Sequence, residues 1–371
     1  MRSKFYSQDI KFTFDDVMIV PAYSEVPTRS DTYINTSVKM GKNTFKIPVI
    51  ASNMDTVTDI KMAAKMAELG GLGIIHRYMS VEDTKNRIVE WAQRGEFARG
   101  NPLALSVGSI DNEMERKRLD TILRDAKRFW NDEQIILCVD LAHGDSKHMV
   151  KSISAIRSEY KFDGTLIAGN TATAEGTERL MRAGADIVRV GVGGGSACTT
   201  RQKTGCGVPQ LSSVLDASAA GNVISDGGHK IPADIAKAIA AGAQFVMLGG
   251  MLAGTDCTPH WDEAMAHHQK SLQFGSAVDL PEVSYRGMAS KEAREAFSGI
   301  GKNAEGVAFR TKVKPEGSTK EVVDHIMEGV RSAMSYVNAV TIPEFMEKAQ
   351  FIRVTPTTIQ ENIPHFGLRS K

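Results

Sequence analysis

The chain has 371 residues, 42% of them hydrophobic, and its 45 Lys and Arg nearly cancel 44 Asp and Glu, for a formal net charge of +1. Such a balance offers no basic face for nucleic acid or an anionic membrane, so an anionic ligand must be held by a local site. No run approaches the roughly 18 apolar residues of a membrane span.

The start, Met1 to Phe14, is polar and charged, unlike a secretion signal. Phe12–Tyr23 is expected to pack against the main body, as is the tail from Phe351 onward. The first apolar, β-branched run is Ile47–Ser52, followed by helical periodicity over Asp59–Leu69. Gly71–His76 is the next strand. Val81–Gln93 then opens behind Ser80, with Asp83 three residues on as a capping box. Strands Leu103–Gly108, Ile135–Asp140 and Thr165–Asn170 alternate with helices Asn112–Trp130, Ser146–Tyr160 and Glu175–Ala183. Ile187–Val192, Asn222–Gly227 and Phe245–Gly250 complete the set, with a helix over Ala233–Ala241 before the last.

Each apolar run is short and nearly continuous, as strands buried on both faces should be. Eight of them at near-even spacing predict an α/β fold, a (β/α)8 TIM barrel over residues 1–371 as one catalytic domain, in preference to an open doubly wound sheet. Two connections break the rhythm. Gly193–Gln210 is glycine-rich and expected to hold no regular element. Residues 255–318, after strand eight, are too long for a simple loop and predict a flap over the barrel mouth.

Barrel enzymes build their sites from the loops that follow the strands. Here the strand ends are polar or glycine: Asn53 and Asp55, His76, Ser106 and Gly108, Asp140 and His143, Asn170, Gly193–Ser196, Asp226–Gly228, and Gly249–Gly250. Ser-Asp-Gly-Gly at 225–228 and Leu-Gly-Gly at 248–250 follow strands seven and eight, where barrels often hold phosphate on backbone N–H groups. The sharpest signal is the loop 191–201, whose glycine run ends at Cys198, a thiol outside any periodic element. Cys138 lies inside a strand and reads as core packing. Cys206 and Cys257 lie in loops without a supporting cluster, and scattered cysteines without CxxC spacing suit a reducing, cytoplasmic setting.

These motifs resemble the family of IMP dehydrogenases and GMP reductases. The resemblance rests on Phe12-Thr-Phe-Asp-Asp-Val-Met, Ala51-Ser-Asn-Met-Asp-Thr-Val-Thr, Ala168-Gly-Asn-Thr-Ala-Thr-Ala-Glu, the Cys198 loop, Ser225-Asp-Gly-Gly and Tyr285-Arg-Gly-Met, in one order along most of the chain. It implies that Cys198 adds to carbon 2 of a purine nucleotide, assisted by Thr200 and by Glu316 in Lys-Pro-Glu-Gly. It implies a 5′-phosphate held by Ser196 and the backbone of Gly227–Gly228 and Gly249–Gly250, with Asp226 on the ribose hydroxyls and Tyr285, Gly287 and Met288 near the base. Arg310 is a further candidate nucleotide contact. Asp140, Asn170 and Ser106 would lie toward the nicotinamide of NADPH, with Arg77 a candidate partner for its 2′-phosphate. Carbonyls of Gly193, Gly195 and Cys198 would match the family's monovalent-cation (K⁺) site, and the assembly would be a homotetramer.

Within the family, dehydrogenases hydrolyse the covalent intermediate with an Arg-Tyr pair in the flap. Here Arg294 precedes Glu295 and Arg310 precedes Thr311. Lys203-Thr204-Gly205 and the lack of an inserted regulatory domain match reductases, which convert GMP to IMP and ammonia with NADPH. His143, Val208, Gly194 and the tail 359–365 depart from the reductase pattern. An insert-free dehydrogenase oxidising IMP with NAD to XMP is therefore the alternative, and a flavin-dependent barrel oxidase or a non-catalytic purine sensor are more distant ones.

Overall fold

A computed structural model describes residues 6–7, 9–273, 280–298, 304–313 and 317–362. Three short strands, β1 (Val17–Ile19), β2 (Val38–Met40) and β3 (Asn43–Phe45), precede the central sheet. That sheet comprises β4 (Val49–Ala51), β5 (Leu72–Gly73), β6 (Leu103–Val107), β7 (Ile135–Asp140), β8 (Thr165–Thr171), β9 (Ile187–Val190), β10 (Val223–Asp226) and β11 (Phe245–Leu248). Every pairing is parallel, in the order β5-β4-β11-β10-β9-β8-β7-β6. The seam between β5 and β6 closes through Ile75, whose N–H donates to Ala104 O (3.0 Å) while its carbonyl accepts from Ser106 N (2.9 Å). The expected (β/α)8 barrel is therefore the fold.

All eight anticipated strands are present, each within about two residues at its ends except β5, whose ladder is shorter. Their side chains are buried almost throughout, which explains the unbroken apolar runs. Helices begin where capping residues fall. Ser80 accepts from Asp83 N (2.9 Å) in the anticipated box, and Asn112, Ser146 and Thr173 cap helices Glu113–Ala126, Lys147–Ser158 and Ala174–Ala183. A cap of this kind contributes about 1 kcal/mol, and each one fixes the entry of a helix behind its strand.

The connection after β9 differs from expectation. It contains a short helix, Thr200–Thr204, stopped by Gly205 at φ +71°, and then helix Gln210–Ser218 behind Pro209. Beyond β11 come helix Trp261–Gln273, the antiparallel pair β12 (Glu282–Arg286) and β13 (Ala308–Lys312), and helix Lys291–Ser298 between them. Helix Thr319–Tyr336 then packs against Pro232–Ala240 and supplies the last barrel helix. β14 (Phe351–Arg353) pairs antiparallel with β1, which fastens the segment before the barrel to the one after it. No helix among the described residues is long and apolar enough to cross a membrane.

Candidate active site

The carboxyl ends of the strands converge on the loop carrying Cys198. Two glycines after β10 make this approach possible: Gly227 (φ +92°) and Gly228 (φ +85°) take left-handed backbone, and a Cβ on Gly227 would lie 2.9 Å from Gly195 N. Loop 193–196 therefore lies directly on the Ser-Asp-Gly-Gly turn. On its other side stand Gly249 and Gly250. A Cβ on Gly250 would sit 2.9 Å from Ser196 Oγ, and one on Gly249 would sit 3.1 Å from Tyr285 Oη. Ser196 Oγ and Tyr285 Oη share a hydrogen bond of 2.9 Å. Burial pushes the Tyr285 hydroxyl above its ordinary pKa, so it stays a neutral donor. Two hydroxyls and bare glycine backbone thus meet in a cradle of the sort that receives an anion.

Cys198 is half-buried, and its Sγ lies 3.2 Å from Thr200 Oγ1, which in turn donates to Glu305 Oε2 at 2.9 Å. The carboxylate is delivered by backbone pairing. Thr199 N donates to Glu305 O (2.9 Å), Val307 N to Ala197 O (3.0 Å), and Glu305 N to Ala289 O (2.9 Å). Lys203 Nζ reaches Ala304 O (2.5 Å) from the short helix, so the Lys-Thr-Gly turn braces the same segment. Gly287 packs on the cysteine loop, where a Cβ would meet Ala197 O at 2.8 Å, and Met288 Sδ accepts from Asp55 N (3.3 Å). Arg286 fixes this corner with a bidentate ion pair to Asp55, one contact being 3.0 Å.

Across the mouth, Asp226 Oδ2 accepts from Asn170 Nδ2 (2.7 Å) and from Arg189 Nη2 (2.8 Å). Asp140 Oδ1 accepts from Arg189 Nη1 (2.7 Å). Burial alone would raise the Asp140 pKa, but Arg189 and then Arg77 hold it below the ordinary carboxylate value. Ser106 Oγ is buried and accepts from Asn53 Nδ2 (3.0 Å). Ser52 Oγ, His76 Nδ1 and Thr199 Oγ1 are buried polar atoms without a hydrogen-bond partner. Orphaned polar atoms cost free energy unless a ligand or water satisfies them, so this end of the barrel is built to receive a polar molecule. Gly195 O already accepts the Cys198 N–H (3.0 Å), using one of its two lone pairs.

The sequence-based site residues do not all gather here. Arg77 turns inward, its Nη1 3.4 Å from Glu115 Oε1 and its Nε 3.6 Å from Asp140 Oδ2, so two carboxylates already engage it. Arg310 lies on β13, 71% exposed and paired with Glu282 at 3.2 Å, away from the cradle. Glu316 lies outside the described residues. Two residues bonded into this arrangement were missed, Glu305 and Arg189. Arg189 had a readable signal, a charge inside the apolar run of β9, since a buried charge demands partners. Glu305 had none, because backbone pairing over a hundred residues brings it in. Cys138 is inert core, its thiol pushed up to about 11 by burial, while Cys257 is buried and Cys206 exposed.

A cavity of about 580 Å³ lies elsewhere, near the opening ends of β8 and β9. Most of its charges pair with one another, Lys42 with Glu133 (2.8 Å) and Arg157 with Asp186 (2.6 Å).

Fold and site together define an enzyme class: a TIM barrel with a thiol on a glycine loop beside paired hydroxyls and bare glycine backbone at the strand ends. The sequence model of the IMP dehydrogenase / GMP reductase domain matches residues 11–365, and the chain belongs to that family. It is 36% identical over 362 residues to the GMP reductase of Enterobacter sp. (strain 638), covering 94% of this chain and 96% of that protein. The GMP reductases of Vibrio cholerae serotype O1 and Shewanella pealeana are each 35% identical over 94% of this chain and 96% of their own length.

Proposed function

We propose that this protein is a GMP reductase, converting GMP to IMP and ammonia with NADPH. The observation that carries the reading is the hydrogen-bonded sequence Cys198–Thr200–Glu305 set beside the Ser196–Tyr285–Gly250 cradle. In this reading the 5′-phosphate rests on Ser196 and the backbone of Gly227–Gly228 and Gly249–Gly250. Asp226 accepts from the ribose hydroxyls, and Gly287 and Met288 border the base. Cys198, as thiolate, bonds to carbon 2 of the purine. The thiol proton passes through Thr200 to Glu305 and returns by the same route to the 2-amino group, which departs as ammonia rather than as an amide anion. Residues 255–318 act as a flap that brings Glu305 in and keeps water from the adduct.

NADPH, when bound, supplies hydride to carbon 2. Asp140, Asn170 and Ser106 are the residues that would hold its nicotinamide end, and the orphaned His76 Nδ1 and Ser52 Oγ nearby fit a polar ring substituent. The carbonyls of Gly193, Gly195 and Cys198 are uncharged oxygens, a donor set suited to a monovalent cation such as K⁺. Cys198 leaves as thiolate when carbon 2 returns to sp², releasing IMP. A cytoplasmic homotetramer goes with this reading.

The test is to mix purified protein with GMP and NADPH, and separately with IMP and NAD, following nicotinamide absorbance. Oxidation of NADPH dependent on GMP, with ammonia released in equal amount, is the expected result. Reduction of NAD by IMP, with no turnover of GMP, would assign the chain to the dehydrogenase side instead.

A further inference from the structure

Arg189 is 7% exposed in the middle of β9, and its flat guanidinium fork bridges two carboxylates from different strands. Nη1 donates to Asp140 on β7 (2.7 Å), and Nη2 and Nε donate to Asp226 on β10 (2.8 and 3.2 Å). The bridge continues outward in alternating charge. Asp140 Oδ2 faces Arg77 (3.6 Å), Arg77 faces Glu115 (3.4 Å), and Glu115 Oε2 accepts from buried Arg118 (3.2 Å) and from Gly108 N (2.7 Å). Removing such charges from water costs several kcal/mol per ion unless geometry and pairing repay it, so the members fix one another's positions. On Asp226, the donors from Arg189 and Asn170 all converge on Oδ2. Oδ1 takes none of these donors and is the atom left for a ligand hydroxyl.

We infer that Arg189 is a positioning residue that couples nucleotide binding to cofactor binding, by holding the ribose-side Asp226 and the nicotinamide-side Asp140 in one rigid unit. The inference rests on the proposed function, which places the two ligands on those two carboxylates. A ribose hydroxyl donating to Asp226 fixes that carboxylate, and the fork carries the constraint to Asp140 with no backbone movement. The ordering cost is met by whichever ligand binds first and is spared the second, which is positive cooperativity. A guanidinium suits this role because it presents several donors in one plane; an ammonium is a point charge without the fork.

The experiment is calorimetric titration of the intact protein with GMP, alone and with saturating NADP⁺, a pair that cannot turn over because the cofactor is already oxidised. In the wild type, GMP binding should tighten by about fivefold or more when NADP⁺ is present, and NADP⁺ binding by the same factor when GMP is present. Arg189→Lys keeps the buried charge, so a thermal melt should show a folded protein, yet the coupling should fall below about twofold. Asp140→Ala, which removes the acceptor at the far end of the bridge, should lose the coupling as well, read as the ratio of GMP affinities with and without NADP⁺ at a concentration that saturates the variant. A merely structural arginine would change melting temperature and leave the coupling factor intact. Full coupling in R189K, or none in the wild type, overturns the inference. Turnover of GMP by the wild type is measured alongside: turnover with no coupling rejects only the role of Arg189, whereas no turnover rejects the functional reading beneath it.

Discussion

Replacing Glu305 by Gln removes the charge from the proton path while preserving its shape. The backbone of residue 305 still donates to Ala289 O and accepts from Thr199 N, both at 2.9 Å, so the segment should remain seated on the cysteine loop. The amide can still meet Thr200, now 2.9 Å from Oε2, but it has no proton to give to a departing amine. Acid–base assistance of this kind is worth about 10²–10⁴ in rate, or roughly 2.7–5.4 kcal/mol at 1.36 kcal/mol per decade. The expected result is a fall in kcat of that size with the KM for GMP within about threefold, since no nucleotide contact is lost. Steady-state kinetics with NADPH measures both constants, and rapid quenching followed by mass spectrometry reports whether the Cys198 adduct still forms. Glu316→Gln is the comparison, because the sequence pattern pointed to that residue. A kcat for E305Q within threefold of wild type, or a large loss in E316Q instead, would refute the assignment drawn from the Thr200 contact.

Two further outcomes follow from the geometry. Gly250→Ala would place a methyl 2.9 Å from Ser196 Oγ; a serine hydroxyl can rotate away, so the fold should survive while one contact to a charged phosphate is lost. At about 1.5–3 kcal/mol for such a bond, the KM for GMP should rise at least tenfold with kcat little changed, and an unaltered KM would remove Ser196 from the cradle. His229, stacked on Phe14 and hydrogen-bonded to Ser225 (3.0 Å), is lowered to about 4 by burial. The unfolded chain takes up this proton near pH 6.5, so the stabilisation from neutral His229 is full above that pH and is lost as pH falls toward 4, with a slope of up to about 1.4 kcal/mol per pH unit. Urea unfolding across this window should show a shallower slope in His229→Gln; an unchanged slope would mean the histidine is already solvated.

The barrel was legible because its strands are buried on both faces, so runs such as Ile135–Asp140 stand out without any partner sequence. The cradle was legible too, since glycine pairs at 227–228 and 249–250 directly after strands imply close backbone approach. The partner of Thr200 was not. Glu305 reaches Thr200 across 105 positions through a backbone pairing that leaves no local pattern, whereas Glu316 was drawn from the family resemblance and lies outside the described residues. Arg310 and Arg77 were drawn in by charge alone. The structure gives one to an exposed hairpin and the other to buried carboxylates, because a guanidinium takes the nearest anion that protein supplies. The helix Thr200–Thr204 was hidden by the glycines around it.

Because β1 and β14 lie side by side, the barrel is fastened much as a belt is buckled, with Val17 against Arg353 and Val354 N on Asp16 O (2.9 Å). The buckle cannot close until Phe351–Arg353 has emerged from the ribosome, by which time every barrel strand is already made.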